Sequence, residues 1–200
     1  MEKSELRKDF LKQREHLDDV AIHETSSRVL EHLIDSEIYE KANHLFTFVS
    51  YRKEVDTHSI IKHALKDGKN IYVPVVNRDT FTMGASKLED FSDLRPNYMG
   101  ILEPSENKVQ LVDPEILDLI ITPGLAFSKD GYRIGYGGGF YDKFFATLAS
   151  HPLRIGIGYP YMLVDTLPHD DYDEKLDLFL SNDGFTQLGG KLCKDISEPL

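Results

Sequence analysis

The run His44-Leu-Phe-Thr-Phe-Val-Ser-Tyr51, the loop Arg52-Lys-Glu-Val-Asp56, the segment from Thr57 to Gly68 and the run Asn70-Ile-Tyr-Val-Pro-Val-Val76 decide the fold of this 200-residue chain. The outer two runs are rich in aromatic and β-branched residues, which suit a pleated, half-buried surface, and read as strands. Between them Ile60, Ile61, Ala64 and Leu65 recur at helical spacing, with Thr57 as the expected N-cap and Gly68 as the stop. Strand, helix, strand implies a right-handed crossover between parallel strands, with the loops at the strand carboxyl ends as the natural ligand site. Glu54 and Asp56 sit in such a loop, where an acidic residue can face solvent, cap a helix or contact a ligand.

Downstream, the apolar Leu119, Ile120 and Ile121 make 118–122 a buried strand that ends at Pro123-Gly124. The chain then reads Leu-Ala-Phe-Ser-Lys-Asp-Gly-Tyr-Arg133-Ile-Gly135-Tyr-Gly-Gly-Gly139-Phe-Tyr-Asp142 and enters an expected helix over 140–149. The local expectation is strand, glycine loop, helix. Glycines at 135, 137, 138 and 139 permit positive φ and bare the backbone N–H groups, so an anion can approach the loop beside the charge of Arg133. A plain tight turn needs glycines too. The arginine, two aromatics and an aspartate within ten positions are more than a turn requires.

At the N-terminus Leu6, Phe10 and Leu17 share one face of a helix expected over 3–17, with Lys3, Arg7 and Arg14 in a strip beside it. From spacing alone these cations are a solvated face, as are Lys12, His23 and His32. A second helix is expected over 19–36, with Val20, Val29, Leu30, Leu33 and Ile34 as core contacts. Beyond it, 81–85 reads as a short strand, 91–112 as irregular, and 154–159 and 176–180 as further strands. The acidic run from Leu167 to Asp177 reads as solvated.

The chain carries 34 acidic and 23 basic residues, a net charge of −11, which argues against nucleic acid and anionic membranes as partners. Its single cysteine, Cys193, forms no internal disulfide and fits a reducing compartment. No apolar stretch approaches a membrane span, and the N-terminus is charged where a signal peptide turns apolar, so a cytoplasmic protein is expected. Two hundred residues suit one domain, 1–200.

As a set, these segments resemble the 5-formyltetrahydrofolate cyclo-ligase (methenyltetrahydrofolate synthetase) family. The resemblance rests on Lys3-Ser4-Glu5-Leu6-Arg7, Glu54-Val55-Asp56-Thr57, Pro123-Gly124-x-Ala126-Phe127, Asp130-Gly131-x-Arg133-Ile134-Gly135-x-Gly137-Gly138-Gly139-Phe140-Tyr141-Asp142 and the stretch from Pro168 to Asp177. Residues 95–104 resemble the family's Gly-Ile-x-Glu-Pro loop near the folate. Phe140 stands where the family has tyrosine, and Tyr172 where it has histidine.

The resemblance implies a three-layer α/β/α domain with a mostly parallel sheet, similar to the sugar-phosphate isomerase and CoA transferase-like fold. It implies an ATP-dependent ligase that converts 5-formyltetrahydrofolate, polyglutamylated or not, to 5,10-methenyltetrahydrofolate, ADP and phosphate. By that resemblance Lys3, Ser4, Glu5, Leu6 and Arg7 hold ATP together with Arg133, Ile134, Gly135, Tyr136, Gly137, Gly138, Gly139, Phe140 and Tyr141. Lys3 and Arg133 carry catalysis by charge. Glu54, Val49 and residues Tyr136 to Phe140 border the folate, and Asp142 and Asp173 hold Mg²⁺. A monomer is expected. The competing expectations are a sugar-phosphate isomerase or CoA transferase-like enzyme, and a non-catalytic nucleotide- or folate-binding module.

Overall fold

A computed structural model describes residues 2–77, 79–97 and 99–190. Cys193 and Tyr98 lie outside them. In chain order the elements are α1 Lys3–Glu15, α2 Asp19–Ile34, α3 Glu37–Lys41, β1 His44–Thr47, α4 His58–Lys66, β2 Asn70–Asn77, β3 Thr82–Leu88, β4 Leu94–Pro96, β5 Leu102–Pro104, β6 Leu111–Val112 and β7 Leu119–Thr122. Then come β8 Ala126–Ser128, β9 Arg133–Ile134, α5 Phe140–Ala146, β10 Leu153–Ile157, β11 Leu163–Val164, β12 Leu178–Ser181 and β13 Gly184–Gln187.

Among the described residues the main sheet runs β13-β12-β10-β7-β1-β2-β3-β6. Its five central strands are mutually parallel and its flanking pairs antiparallel, as the first crossover implied. From β1 the chain crosses through α4 to β2, whereas from β7 it crosses in the opposite direction to β10. Crossovers of one hand running in opposite directions put α4 and α5 on opposite faces, which gives the α/β/α layering. The strand order reverses between β1 and β7, so their carboxyl ends open a crevice there. Buried Phe46, Ile120, Ile121, Phe145, Phe179 and Leu180 form the middle of the core.

Several boundaries differ from the sequence expectation for identifiable reasons. The first strand stops at Thr47 instead of Tyr51, because the following carbonyls are taken by side chains: Thr57 Oγ1 donates to Phe48 O at 2.7 Å, and His58 Nε2 bonds Ser50 O at 2.9 Å. Thr57 is therefore spent on the loop, and the cap of α4 comes from Asp56, whose Oδ1 accepts from His58 N at 2.9 Å. The helix closes as expected at Gly68 (φ 77°), where Lys69 N reaches back to Ala64 O at 3.0 Å. The second helix ends at Ile34 because Ser36 caps the short α3, accepting from Tyr39 N at 3.2 Å. Val20 is 64% exposed and contributes nothing to the core.

The glycine loop does not follow β7 directly. A small sheet, β11-β8-β9, intervenes, so the loop leaves β9. The segment expected to be irregular holds the β4–β5 hairpin and β6. The helix after the loop ends at Ala146, three residues early, and Gly158 and Tyr159 belong to a turn beyond β10. The last strand starts at Leu178 and is followed by β13 on the sheet edge.

Candidate active site

At the reversal of strand order, a narrow, nearly filled crevice is lined by Phe48, Glu54 and Val55 after β1, Pro123 and Gly124 after β7, and Ile157, Gly158 and Tyr159 after β10, with Met162 and Arg14. Three of the five parallel strands, β1, β7 and β10, thus deliver the residues at or just beyond their carboxyl ends to one place. Val49 is buried beside Phe48 in the core and is not among the lining residues.

The loop carrying Glu54 is held rigidly. Glu54 Oε2 accepts from Tyr51 N at 2.8 Å, and Tyr136 donates its hydroxyl to Glu54 Oε1. Tyr51 in turn donates to Met99 O at 2.6 Å, which draws the 97–101 turn to the same rim. The fold therefore joins the Glu54 loop, the glycine loop and the Gly-Ile-x-Glu-Pro segment.

The N-terminal helix lies across the glycine loop. Arg7 Nε donates to Gly135 O at 3.0 Å, and a side chain placed on Gly137 (φ 102°) would come within 3.8 Å of the Arg7 guanidinium. Gly138 is needed for a different reason: a Cβ there would sit 2.7 Å from the ring of Phe140, which folds back over it. Lys3 bridges Asp170, at 2.6 Å, and Asp173. Burial opposes the charge on Lys3, but its hydrogen bonds to the two aspartates prevail and raise its pKa. Glu5 closes the capping box of α1 by accepting from Glu2 N at 3.2 Å, Ser4 is exposed, and Leu6 packs on the core.

Arg133 points inward. Its side chain is 4% exposed, with Nη2 3.1 Å from Asp142 Oδ1 and Nη1 donating to Glu174 O at 3.1 Å. Its guanidinium lies over the rings of Tyr141 and Phe145. Asp142 Oδ1 also accepts from Glu174 N at 3.1 Å, and Asp173 Oδ2 accepts from Asp170 N at 2.8 Å. Both aspartates thus grip the 170–174 turn. Among the described residues no group of three or more His, Cys, Asp or Glu could hold a metal. A Mg²⁺ on a triphosphate asks less, one or two carboxylates with phosphate and water oxygens. The contacts described for Asp142 use Oδ1 and those for Asp173 use Oδ2, and carboxylate oxygen is the donor type that a hard cation takes.

One site residue was missed. Arg14, expected on a solvated face, is buried against Tyr136 and Glu54, whereas Lys12 on the same helix is exposed. His23 is exposed as expected, and His32 is half-buried with its ring bonded to Asn182 O at 3.1 Å. The seven-residue spacing from Arg7 put Arg14 on the same strip but carried no sign of the loop that covers it.

The family model described as "5-formyltetrahydrofolate cyclo-ligase family" matches residues 1–182. The chain is 34% identical over 188 residues to a Caenorhabditis elegans protein named "Probable 5-formyltetrahydrofolate cyclo-ligase", covering 88% of this chain and 90% of that one. It is 28% identical over 177 residues to the Haemophilus influenzae "5-formyltetrahydrofolate cyclo-ligase", covering 87% and 94%. The structure superposes on the solved Aquifex aeolicus 5,10-methenyltetrahydrofolate synthetase with a TM-score of 0.82 and 28% identity, covering 98% of this chain and 97% of that one.

Proposed function

Since the chain belongs to the 5-formyltetrahydrofolate cyclo-ligase family, we propose that its cleft binds 5-formyltetrahydrofolate and that the adjoining glycine loop binds ATP. The observation that carries this is the joining of three loops at one crevice, with Glu54 and Tyr136 at its rim and Arg7 and Lys3 on the neighbouring helix.

In this reading the formyl oxygen attacks the γ-phosphorus, ADP leaves, and the second folate nitrogen closes the ring as phosphate departs. Such chemistry needs charge neutralisation and alignment more than covalent help from the protein. Arg7 and the backbone N–H groups of residues 135–139 meet the phosphates, and Lys3 adds charge from the 170–173 turn. Arg133 acts from beneath, through Asp142 and the Glu174 carbonyl. Asp142 and Asp173 hold Mg²⁺, which supplies shielding of the triphosphate charge. Glu54 accepts from the pterin, with residues Tyr136 to Phe140 on the other side of the ring and Val49 packed behind. The chain acts as one domain and one subunit in the cytoplasm. Among the described residues no helix is long and apolar enough to cross a membrane.

Purified protein given 5-formyltetrahydrofolate and Mg-ATP should develop the methenyl chromophore. Sugar-phosphate isomerase or CoA transferase activity in its place would replace this reading, as would folate binding with no turnover.

A further inference from the structure

We propose that Arg14 is a positioning residue that aims Glu54 into the cleft, directly and through Tyr136. The inference rests on the reading that Glu54 receives the folate.

Arg14 Nη1 donates to Tyr136 OH at 2.7 Å and lies 3.5 Å from Glu54 Oε1, the oxygen that also accepts the Tyr136 hydroxyl. Its guanidinium sits over the Tyr136 ring with Cζ 5.6 Å from the centroid. The other oxygen, Oε2, is fixed by Tyr51 N. Two donors and one neighbouring cation, from three segments, therefore set the plane of one carboxylate. A carboxylate offers about four acceptor sites. Tyr51 N and the Tyr136 hydroxyl occupy two, which leaves two for N–H donors of a ligand entering the cleft that Arg14 and Glu54 both line.

Stability does not account for this arrangement. The side chains of Arg14 and Glu54 are 7% and 11% exposed, and a pair so buried gains little over well-packed apolar residues, because desolvating two charges offsets their attraction. A carboxylate that must remain charged while so little exposed does need a fixed counter-charge. The backbone supports the same role: Lys53, next to Glu54, donates to Glu15 O at 2.8 Å, and Tyr159 donates to Lys53 O at 3.0 Å. The end of α1 is thus tied to the Glu54 loop one residue beyond Arg14, and the loop in turn to Tyr159.

The test is a double-mutant cycle on the full chain with Arg14→Met, Glu54→Gln and the double variant, reading KM for 5-formyltetrahydrofolate, KM for ATP and Tm. Arg14→Met should raise the folate KM by about tenfold or more, the size of one charge-assisted hydrogen bond, with the ATP KM within about twofold. Arg14→Lys should recover part of the loss. In the Glu54→Gln background Arg14→Met should cost less than about twofold more, because the residue it positions is already altered. Should Arg14→Met fail to fold, Arg14→Lys and Tyr136→Phe are read in its place. An unchanged folate KM, equal rises in both KM values, or effects that multiply in the double variant would overturn the inference. A wild type that turns over the folate while Glu54→Gln binds it unchanged removes Arg14's role and leaves the activity standing. A wild type that never turns it over removes both.

Discussion

Asp142 Oδ1 stands 3.1 Å from Arg133 Nη2, so the residue expected to hold metal is also the counter-charge of a buried guanidinium. Metal binding and helix-dipole stabilisation each predict an Asp142→Asn variant that melts almost like the wild type. The ion pair predicts otherwise. Removing one partner of a buried pair costs on the order of 3 kcal/mol, the low end of the range because Asp142 is partly exposed. For a chain of this size that lowers Tm by roughly 6–12 °C. Calorimetry with and without Mg²⁺ checks this. If Asp142 also holds the cation, surviving turnover should need more Mg²⁺ than the wild type. An unchanged Tm would show that Asp142 does not support Arg133.

Lys3→Ala and Arg7→Ala act on the nucleotide side and should raise the KM for ATP well above any change for folate. Each removes a charge-assisted contact worth roughly 1.5–3 kcal/mol, about ten- to a hundredfold. Lys3→Ala also leaves Asp170 and Asp173 facing each other without their shared cation. It should therefore show the larger ATP effect at low ionic strength, shrinking as salt is added. Steady-state kinetics at two salt concentrations decides this, and equal effects on both substrates would contradict it.

The core is tightest where β10 passes the aromatic cluster. A Cβ on Gly156 would come within 2.6 Å of Phe127 Cδ1, and Phe127 is fully buried against Phe179. Gly156→Ala should therefore cost about 1–3 kcal/mol, lowering Tm by roughly 2–12 °C. Gly135 has open space at the corresponding position and no positive φ. Gly135→Ala should keep its Tm within about 2 °C. Thermal melts of the two variants check the contrast.

Burial raises the phenol pKa values of Tyr141 and Tyr159 beside the cleft and of Tyr39, where the bond to Asp67 adds to it, and pushes Tyr161 up to about 12. Unfolded phenols ionise near pH 10. Above that pH the folded state holds more protons than the unfolded one, so stability is intact below pH 10 and falls as pH rises toward 12. Each buried phenol steepens the loss by up to about 1.4 kcal/mol per pH unit. Phenolate absorbance should rise in two phases, the second coinciding with loss of far-UV circular dichroism. A single phase completed while the fold persists would contradict the burial.

The parallel sheet was legible because residues 44–76 and 118–122 carry their pattern locally, in β-branched runs broken by helical spacing and glycine. The β8–β9 hairpin was not, because Ala126, Phe127 and Ser128 form a strand only by pairing with Arg133, Ile134 and β11. The glycine loop and the Glu54 loop could be named from motifs. Their meeting through Tyr136 could not, since Glu54 and Tyr136 are 82 residues apart and touch only after the strand order reverses. Arg14 was misread for the same reason: a cation on a helix reads as solvated until the loop that covers it is in place. Arg133 read as a charge beside the glycine loop, and its inward turn was not legible because its partners are Asp142, nine residues on, and the Glu174 carbonyl in a distant loop.

In the proposed function one crevice couples phosphoryl transfer to ring closure. The most direct measurement follows ADP and the methenyl chromophore together in one reaction of purified protein with 5-formyltetrahydrofolate and Mg-ATP. In coupled turnover the two form in equal amounts, and omitting either substrate abolishes both. Chromophore formed without ATP, or ADP released at the same rate whether or not the folate is present, would contradict it.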